Sequence, residues 1–296
     1  MKNKVLTGLL LVLIGGWGNL LAQNAGSNYA RQVNTLIGTK GVGLTSGYLY
    51  PGATYPYGMV QFTPSYFSKR SGFVINQLSG GGCEHMGNFP TFPVKGKLKM
   101  SPDNILNYRI NISEEKGHAG YYEAMVQEDI KAKLTVTERT GMASYEYPAD
   151  QQYGTVIIGG GISATPIEQA AIVITAPNKC EGYAEGGNFC GLRTPYKVYF
   201  VAEFDADALE SGTWKRDELK PNTTFAEGEY SGVYFTFDVS KKKNVQYKIG
   251  VSYVSVENAR ENLKAENTEW DFQKIQNQAE AKWNHYLGMI EVEGTN

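Results

Sequence analysis

A Gly-rich segment is the part of this sequence where side chains with reactive groups are most unusually placed. Residues 76 to 88 surround Cys83, Glu84 and His85 with four glycines. Glycines allow tight turns and positive φ angles, and a surface loop built this way can present Glu84 and His85 to a ligand. The same glycines could instead serve only a sharp crossing between two sheets. The residue types leave both interpretations open.

A row of carboxylates is the second candidate for chemistry. Glu203, Asp205 and Asp207 alternate along one segment and would project from one face of a strand. Glycoside hydrolysis needs two carboxyl groups roughly 5–9.5 Å apart across a pocket. A strand face offers neighbours about 7 Å apart but no surrounding pocket. We therefore interpret this row as the polar face of an antiparallel strand.

The sequence contains no other recognisable catalytic or cofactor-binding motif. The glycines at 41, 43 and 47 precede a segment with two prolines, whereas a dinucleotide loop must open a helix. The sequence has no Gly-x-Ser-x-Gly elbow and no Cys/His spacing typical of zinc sites. Its own residues therefore contain no convincing catalytic centre.

Three cysteines are present: Cys83, Cys180 and Cys190. An odd number leaves at least one of them unpaired within the chain. The segment between Cys180 and Cys190 is polar and Gly-rich, so we interpret it as a loop. A disulfide between Cys180 and Cys190 would close this loop in an oxidising compartment, and the sequence leaves open whether it forms.

The amino terminus indicates export. Lys2 and Lys4 precede a nearly unbroken apolar run that ends in small residues, a pattern typical of a signal peptide, which we assign to residues 1–23. A permanent membrane anchor is the rival interpretation, but the run is interrupted by glycines and is shorter than the ~20 apolar residues of a bilayer span. We expect a periplasmic or secreted protein that leaves the membrane after cleavage. Its net charge of about −4 without the two signal lysines argues against a nucleic-acid partner.

The remaining sequence predicts a mainly β fold with a helical end. Apolar and polar residues alternate over 197–206, 233–239 and 247–253, as in half-buried strands. Short Gly-, Pro- and Asn-containing connections favour an antiparallel β-sandwich over 24–256, and we interpret Lys241–Lys243 as a hairpin turn. Residues 257–296 are predicted to form a helical linker, with Asn258 as N-cap, Gly288 as stop and a break near Asn267.

Several segments, in this order, resemble the amino-terminal part of glycoside hydrolase family 92. They are Val33–Thr39, Tyr50–Gln61, Leu78–Cys83, Gly120–Tyr122, Lys131–Thr137, Tyr199–Asp205 and Glu257–Leu263, with Trp283 and Glu291–Gly294 following. The resemblance implies a supersandwich-type β-sandwich joined by a helical linker to an α/α-barrel. Members of this family are exported, calcium-dependent, inverting exo-α-mannosidases that trim N-glycans and mannan. Their acid, base and calcium ligands lie mostly on the barrel, which this sequence does not include.

The resemblance also suggests substrate contacts. Gly47 matches by spacing a family glycine that contacts the terminal mannose, whereas the family's nearby tryptophan is absent and Tyr66 and Phe67 lie in that region. The family's Ser-His-Thr-His is here Val74–Gln77. We predict that Phe73, Gln77, Glu84 and His85 replace the missing contacts.

Three hypotheses follow. The first is a family 92 sandwich domain that supports a catalytic barrel and contacts a mannose-containing N-glycan. In this case calcium binds the barrel, this chain needs no cofactor, and alone it is inactive. The second is a free-standing carbohydrate-binding module. The third is a small hydrolase that uses Glu84 or the Glu203 strand. For the first hypothesis we expect the terminal helix to offer Trp270, Ile275 and Trp283 to the barrel.

Overall fold

The computed structural model describes residues 28–39, 49–65, 72–103 and 111–291. The predicted signal peptide, Gly47, Tyr66 and Phe67 lie outside these residues. Within the described part, no helix is both long and apolar enough to cross a membrane.

Two antiparallel sheets form the body of the protein, as the alternating sequence pattern predicts. The described part of the eight-stranded sheet has the spatial order β1-β2-β3-β4-β9-β16-β13-β14. In chain order, its strands are β1 (Ala53–Thr54), β2 (Gln61–Pro64), β3 (Phe73–Val74), β4 (Thr91–Lys95), β9 (Tyr153–Gly159), β13 (Glu210–Lys215), β14 (Glu218–Pro221) and β16 (Ser231–Asp238).

The nine-stranded sheet has the order β15-β10-β11-β12-β17-β8-β7-β6-β5 over the described residues. Its strands are β5 (Ile112–His118), β6 (Tyr121–Val126), β7 (Ile130–Val136), β8 (Thr140–Glu146), β10 (Ile167–Ala176), β11 (Lys179–Phe189), β12 (Leu192–Phe204), β15 (Phe225–Glu227) and β17 (Asn244–Ser252). One hydrophobic core lies between the sheets. Within it, the Phe204 ring contacts Phe235 of the opposite sheet and Tyr247 of the neighbouring strand.

The Lys241–Lys243 segment corrects one prediction. It connects β16 to β17, and these strands belong to different sheets. The segment is therefore a crossover between the layers and not a hairpin turn. Period-two alternation identifies the buried face of each strand but does not identify its neighbour, so the sequence pattern could not distinguish the two cases.

Three helices complete the described structure: α1 (Tyr29–Gln32), α2 (Val256–Glu266) and α3 (Phe272–Leu287). The predicted break near Asn267 is present, and Gly288 is the C-cap of α3. The N-cap of α2 is Ser255, not Asn258, because the Ser255 side chain accepts a hydrogen bond from the Asn258 amide. Both residue types cap helices well, and here β17 ends early enough for the first of them to be used.

Helix α2 lies on the outer face of the nine-stranded sheet. Its Ala259 and Leu263 pack against Val201 of β12. Near its end, the Glu266 carboxylate accepts hydrogen bonds from the Thr137 hydroxyl, at 2.6 Å, and from the Arg139 amide, at 2.8 Å. Apolar packing and polar contacts together hold α2 on the sandwich.

Helix α3 turns its large apolar residues toward the sandwich. Ile275 is buried, and the indole N–H of Trp283 donates to the Thr54 carbonyl at 2.7 Å. Trp270, just before α3, lies under the Lys248 ammonium at 4.0 Å. Ile275 is therefore not available to a barrel, and Trp270 and Trp283 are half-buried and make part of their contacts to the sandwich.

Candidate functional site

Three segments meet at one end of the sandwich. They are the Gly-rich loop (77–88), the end of the β11–β12 hairpin (188–196) and the β17–α2 connection (253–255). We call these residues the loop cluster. The Gly-rich loop leads into the eight-stranded sheet, whereas the other two segments belong to the nine-stranded sheet, so the cluster joins the two layers.

A disulfide between Cys83 and Cys190 links the Gly-rich loop to the hairpin, with the two Cα atoms 5.4 Å apart. The predicted Cys180–Cys190 bridge is therefore wrong. The intervening residues form most of strand β11 and not a loop, and ten residues of strand span about 33 Å. Cys180 is a free, fully buried thiol in the core, where burial raises its pKa.

His85 provides a second contact between the Gly-rich loop and the hairpin. Its Nδ1 lies 3.1 Å from the Asn188 carbonyl oxygen, and because a carbonyl only accepts, Nδ1 carries the hydrogen. The imidazole also makes edge contacts with the rings of Phe189 and Tyr196, at centroid distances of 5.3 and 5.6 Å. His85 is largely buried, so its observed role is to hold the loop.

A polar network lies beneath the loop. The Asn88 amide donates to the Asn76 side-chain oxygen at 2.7 Å, and the Asn76 amide group donates to the Asn88 side-chain oxygen at 3.0 Å. The Tyr196 hydroxyl also donates to that Asn88 oxygen, at 2.8 Å. Tyr253 is within 3.4 Å of the Asn76 amide nitrogen and donates to the Met86 sulfur at 3.6 Å. Burial raises the pKa of Tyr196 to about 12 and raises that of Tyr253, so both remain protonated donors at neutral pH.

The sequence analysis did not predict this network. A usable signal was present, because residues with hydrogen-bonding side chains stand at the ends of the segments that meet here. Asn76 and Asn88 are the two ends of the Gly-rich segment, and Tyr253 directly follows β17.

Gln77 has the most unusual environment of the predicted contacts. Its side chain is almost fully buried, and neither its amide nitrogen nor its oxygen has a hydrogen-bond partner in the described structure. Each buried polar atom left unpaired costs about 1–3 kcal/mol. Contact between this buried amide and a ligand stays a prediction.

The other predicted substrate contacts lie in different environments. Glu84 is half-buried in the loop cluster. Phe73 is fully buried in the core, where its ring stacks on Tyr145 at 6.2 Å, so the prediction that it contacts substrate is inconsistent with its position. Gly47 cannot be placed because it lies outside the described residues.

Two of the three carboxylates in the Glu203 row form ion pairs with lysines. Glu203 accepts from the Lys179 ammonium at 2.9 Å, and Asp205 accepts from the Gln246 amide and pairs with Lys242. Leu192 and Glu203 lie at opposite ends of β12, about 36 Å apart along a strand. Glu84, which is in the loop cluster with Leu192, and Glu203 therefore cannot act as an acid and base pair. Among the described residues, no group of three or more His, Cys, Asp or Glu side chains could hold a metal ion.

The rim of the loop cluster is apolar and exposed. It exposes Leu78, Leu192, Tyr253 and Val254, the last at 74% of its surface. Leu49 is also exposed and lies near Gly80 of the loop.

Two antiparallel sheets around one hydrophobic core, with α2 and α3 on an outer face, define a β-sandwich domain. The family model described as the glycosyl hydrolase family 92 N-terminal domain matches residues 32–252, and the family's catalytic domain model matches 258–296. The chain belongs to glycoside hydrolase family 92 and contains its N-terminal domain.

Three known proteins are similar to this chain. An uncharacterized secreted glycosidase of Arthroderma benhamiae is 26% identical over 88% of this chain and 38% of its own length. The structure of a family GH92 inverting mannosidase from Bacteroides thetaiotaomicron has a TM-score of 0.76 at 26% identity, over 89% of this chain and 37% of that one. A second family GH92 α-mannosidase from that organism gives a TM-score of 0.78 at 24% identity, over 90% of this chain and 39% of that one. The chain thus spans about two fifths of the length of these relatives.

Proposed function

We propose that this domain supports a catalytic α/α-barrel domain and contributes the loop cluster to the binding of a mannose-containing N-glycan. The observation that carries the proposal is the loop cluster itself. It combines a loop held by a disulfide, a buried Gln77 amide without hydrogen-bond partners and exposed apolar residues. Two of the similar structures are mannosidases by name, which motivates the choice of sugar.

The catalytic domain is the partner that the apolar rim fits. The match of the catalytic domain model begins at residue 258, within α2, and α2 starts directly after the β17–α2 connection of the loop cluster. A catalytic domain that follows α3 could therefore cover Leu192 and Val254. We expect calcium, the acid and the base to be held by that domain, and the present chain alone to be inactive. The signal-like amino terminus and a relative described as secreted support export to the periplasm or the medium.

Binding of α-mannosides tests the glycan contact. Methyl α-mannoside, an α-mannobiose and a high-mannose N-glycan would be titrated by NMR into the chain, with and without the catalytic domain and with and without calcium. We expect Gln77→Leu to weaken binding at least about tenfold, because the unpaired amide is removed. Gln273→Leu, which changes an exposed glutamine on α3, is the matched control. Equal affinities for both variants would contradict the assignment of Gln77.

Two further outcomes separate the hypotheses. Affinity that requires the catalytic domain supports the accessory role, whereas full affinity of the isolated chain without turnover favours a free-standing carbohydrate-binding module. Hydrolysis of a reporter α-mannoside by the isolated chain, abolished by Glu84→Gln, would refute the proposal.

A further inference from the structure

The backbone of the Gly-rich loop does not by itself favour a single conformation. Gly80, Gly82 and Gly87 have φ angles of +72°, +77° and +77°, and Met86 also has a positive φ of 58°. Glycine has more accessible conformations than any other residue when a loop is free. A single conformation of this loop therefore depends on ties to the surrounding structure.

The ties come from the opposite sheet. Cys83 is bonded to Cys190, His85 contacts Asn188, and the Met86 sulfur accepts from Tyr253. All three partners lie on segments of the nine-stranded sheet, whereas the loop itself leads into β4 of the eight-stranded sheet. The disulfide is the covalent member of this set, and Cys83 lies two residues before His85 in sequence.

The core of the sandwich does not depend on this link in the same way. Buried residues of both sheets form one continuous hydrophobic cluster, and the disulfide lies outside it, with Cys190 exposed at the hairpin end. A covalent bond at the edge of a well-packed core acts first on the segment that it fastens. Its effect on the unfolded chain, through the 107-residue separation of the two cysteines, is a separate and global one.

We propose that the Cys83–Cys190 disulfide is a positioning element, which holds the Gly-rich loop on the hairpin so that Gln77, Glu84 and His85 keep one arrangement. Without the bond, the loop separates from the hairpin while both sheets stay folded. The part of this inference that concerns ligand contact rests on the proposed function.

Hydrogen exchange distinguishes local fastening from global stabilisation. The full chain carrying Cys83→Ala and Cys190→Ala would be compared with wild type by mass spectrometry under native conditions. We expect amides of the Gly-rich loop to exchange at least about tenfold faster in the variant, because local opening no longer requires the loop to carry the hairpin with it. Amides of β9 and β16 should remain slow. Cys180→Ala, which removes the free buried cysteine, is the control and should leave exchange in the loop unchanged.

A loop as protected in the double variant as in wild type would overturn the proposal and leave the disulfide a global stabiliser. If the double variant does not fold, as judged by near-UV circular dichroism, wild type reduced by a phosphine under native conditions gives the same comparison. Titration with methyl α-mannoside then follows, and we expect weaker binding once the loop is released. Absence of binding by wild type in any form would count against the proposed function, whereas the exchange result alone decides the positioning role.

Discussion

Lys248 provides a quantitative test of how the helices are attached to the sandwich. Its side chain starts on β17, is only 2% exposed, and donates to the Asn267 carbonyl at 2.9 Å at the end of α2. Burial lowers the pKa of this ammonium from 10.5 to about 8, against the opposing attraction of Glu203, Glu269 and Asp205. The molecule therefore keeps a costly charge beneath the junction of α2 and α3.

The cost can be expressed as a pH dependence. Between pH 8 and pH 10.5 the unfolded chain holds the Lys248 proton more tightly than the folded chain, so the free energy of unfolding rises with pH in this window. The shift from 10.5 to about 8 corresponds to about 3 kcal/mol. Below pH 8 both states are protonated, and the penalty is constant.

Lys248→Met removes the charge and keeps the length of the side chain. Urea unfolding would be followed by tryptophan fluorescence at pH 7, 8, 9 and 10 for wild type and variant. We expect the wild type to gain about 2–3 kcal/mol relative to the variant between pH 7 and pH 10. Lys264→Met, at an exposed position on α2, should show no such trend. A constant difference between wild type and Lys248→Met across this range would refute the reasoning.

Two other predictions concern α3. Burial alone would raise the pKa of Glu280, but hydrogen bonds and the charges of neighbouring cations hold it below its usual value. Glu280→Gln should therefore lower the free energy of unfolding by about 1–3 kcal/mol at pH 7. In chemical denaturation, this loss should shrink as pH falls below 4.5. A loss that persists unchanged at pH 3, or an equal loss for the exposed Glu269→Gln, would contradict this role. Gly120 has a φ of +85°, and a Cβ there would lie 2.9 Å from the Cβ of Ala279 on α3. Gly96 has a similar φ of +74° but open space around it. Gly120→Ala should therefore lower Tm more than Gly96→Ala. Equal shifts would mean that α3 does not press on this turn.

Much of the fold could be predicted from the sequence because burial imposes a period on strands. The alternation predicts that Val198, Phe200, Ala202, Phe204 and Ala206 share one face. The first four are fully buried, whereas Ala206 lies beyond the end of β12 and is exposed. Val201, on the other face, is buried as well, because α2 covers it. Alternation predicts which residues point inward, but it does not show which outer face a helix will cover.

The candidate site was predicted less completely. The Gly-rich segment does hold Gln77, Glu84 and His85 at one end of the sandwich, yet the residues that fix it come from distant parts of the chain. Cys190 and Tyr253 lie 107 and 170 positions beyond Cys83, and no local pattern shows that they will meet there. Phe73 was predicted as a contact because it directly precedes Val74–Gln77, and sequence position alone does not reveal that its ring faces the core.

The attachment of α2 changes where this protein can be divided. The two family models meet between residues 252 and 258, yet Leu263 and Glu266 beyond that point pack on and bond to the sheet. A gene fusion or exchange made at residue 252 would uncover Val201 and leave the ammonium of Lys248 without its carbonyl partner. The unit that can be exchanged in evolution therefore extends at least through the end of α2, and this helix stays with the sandwich.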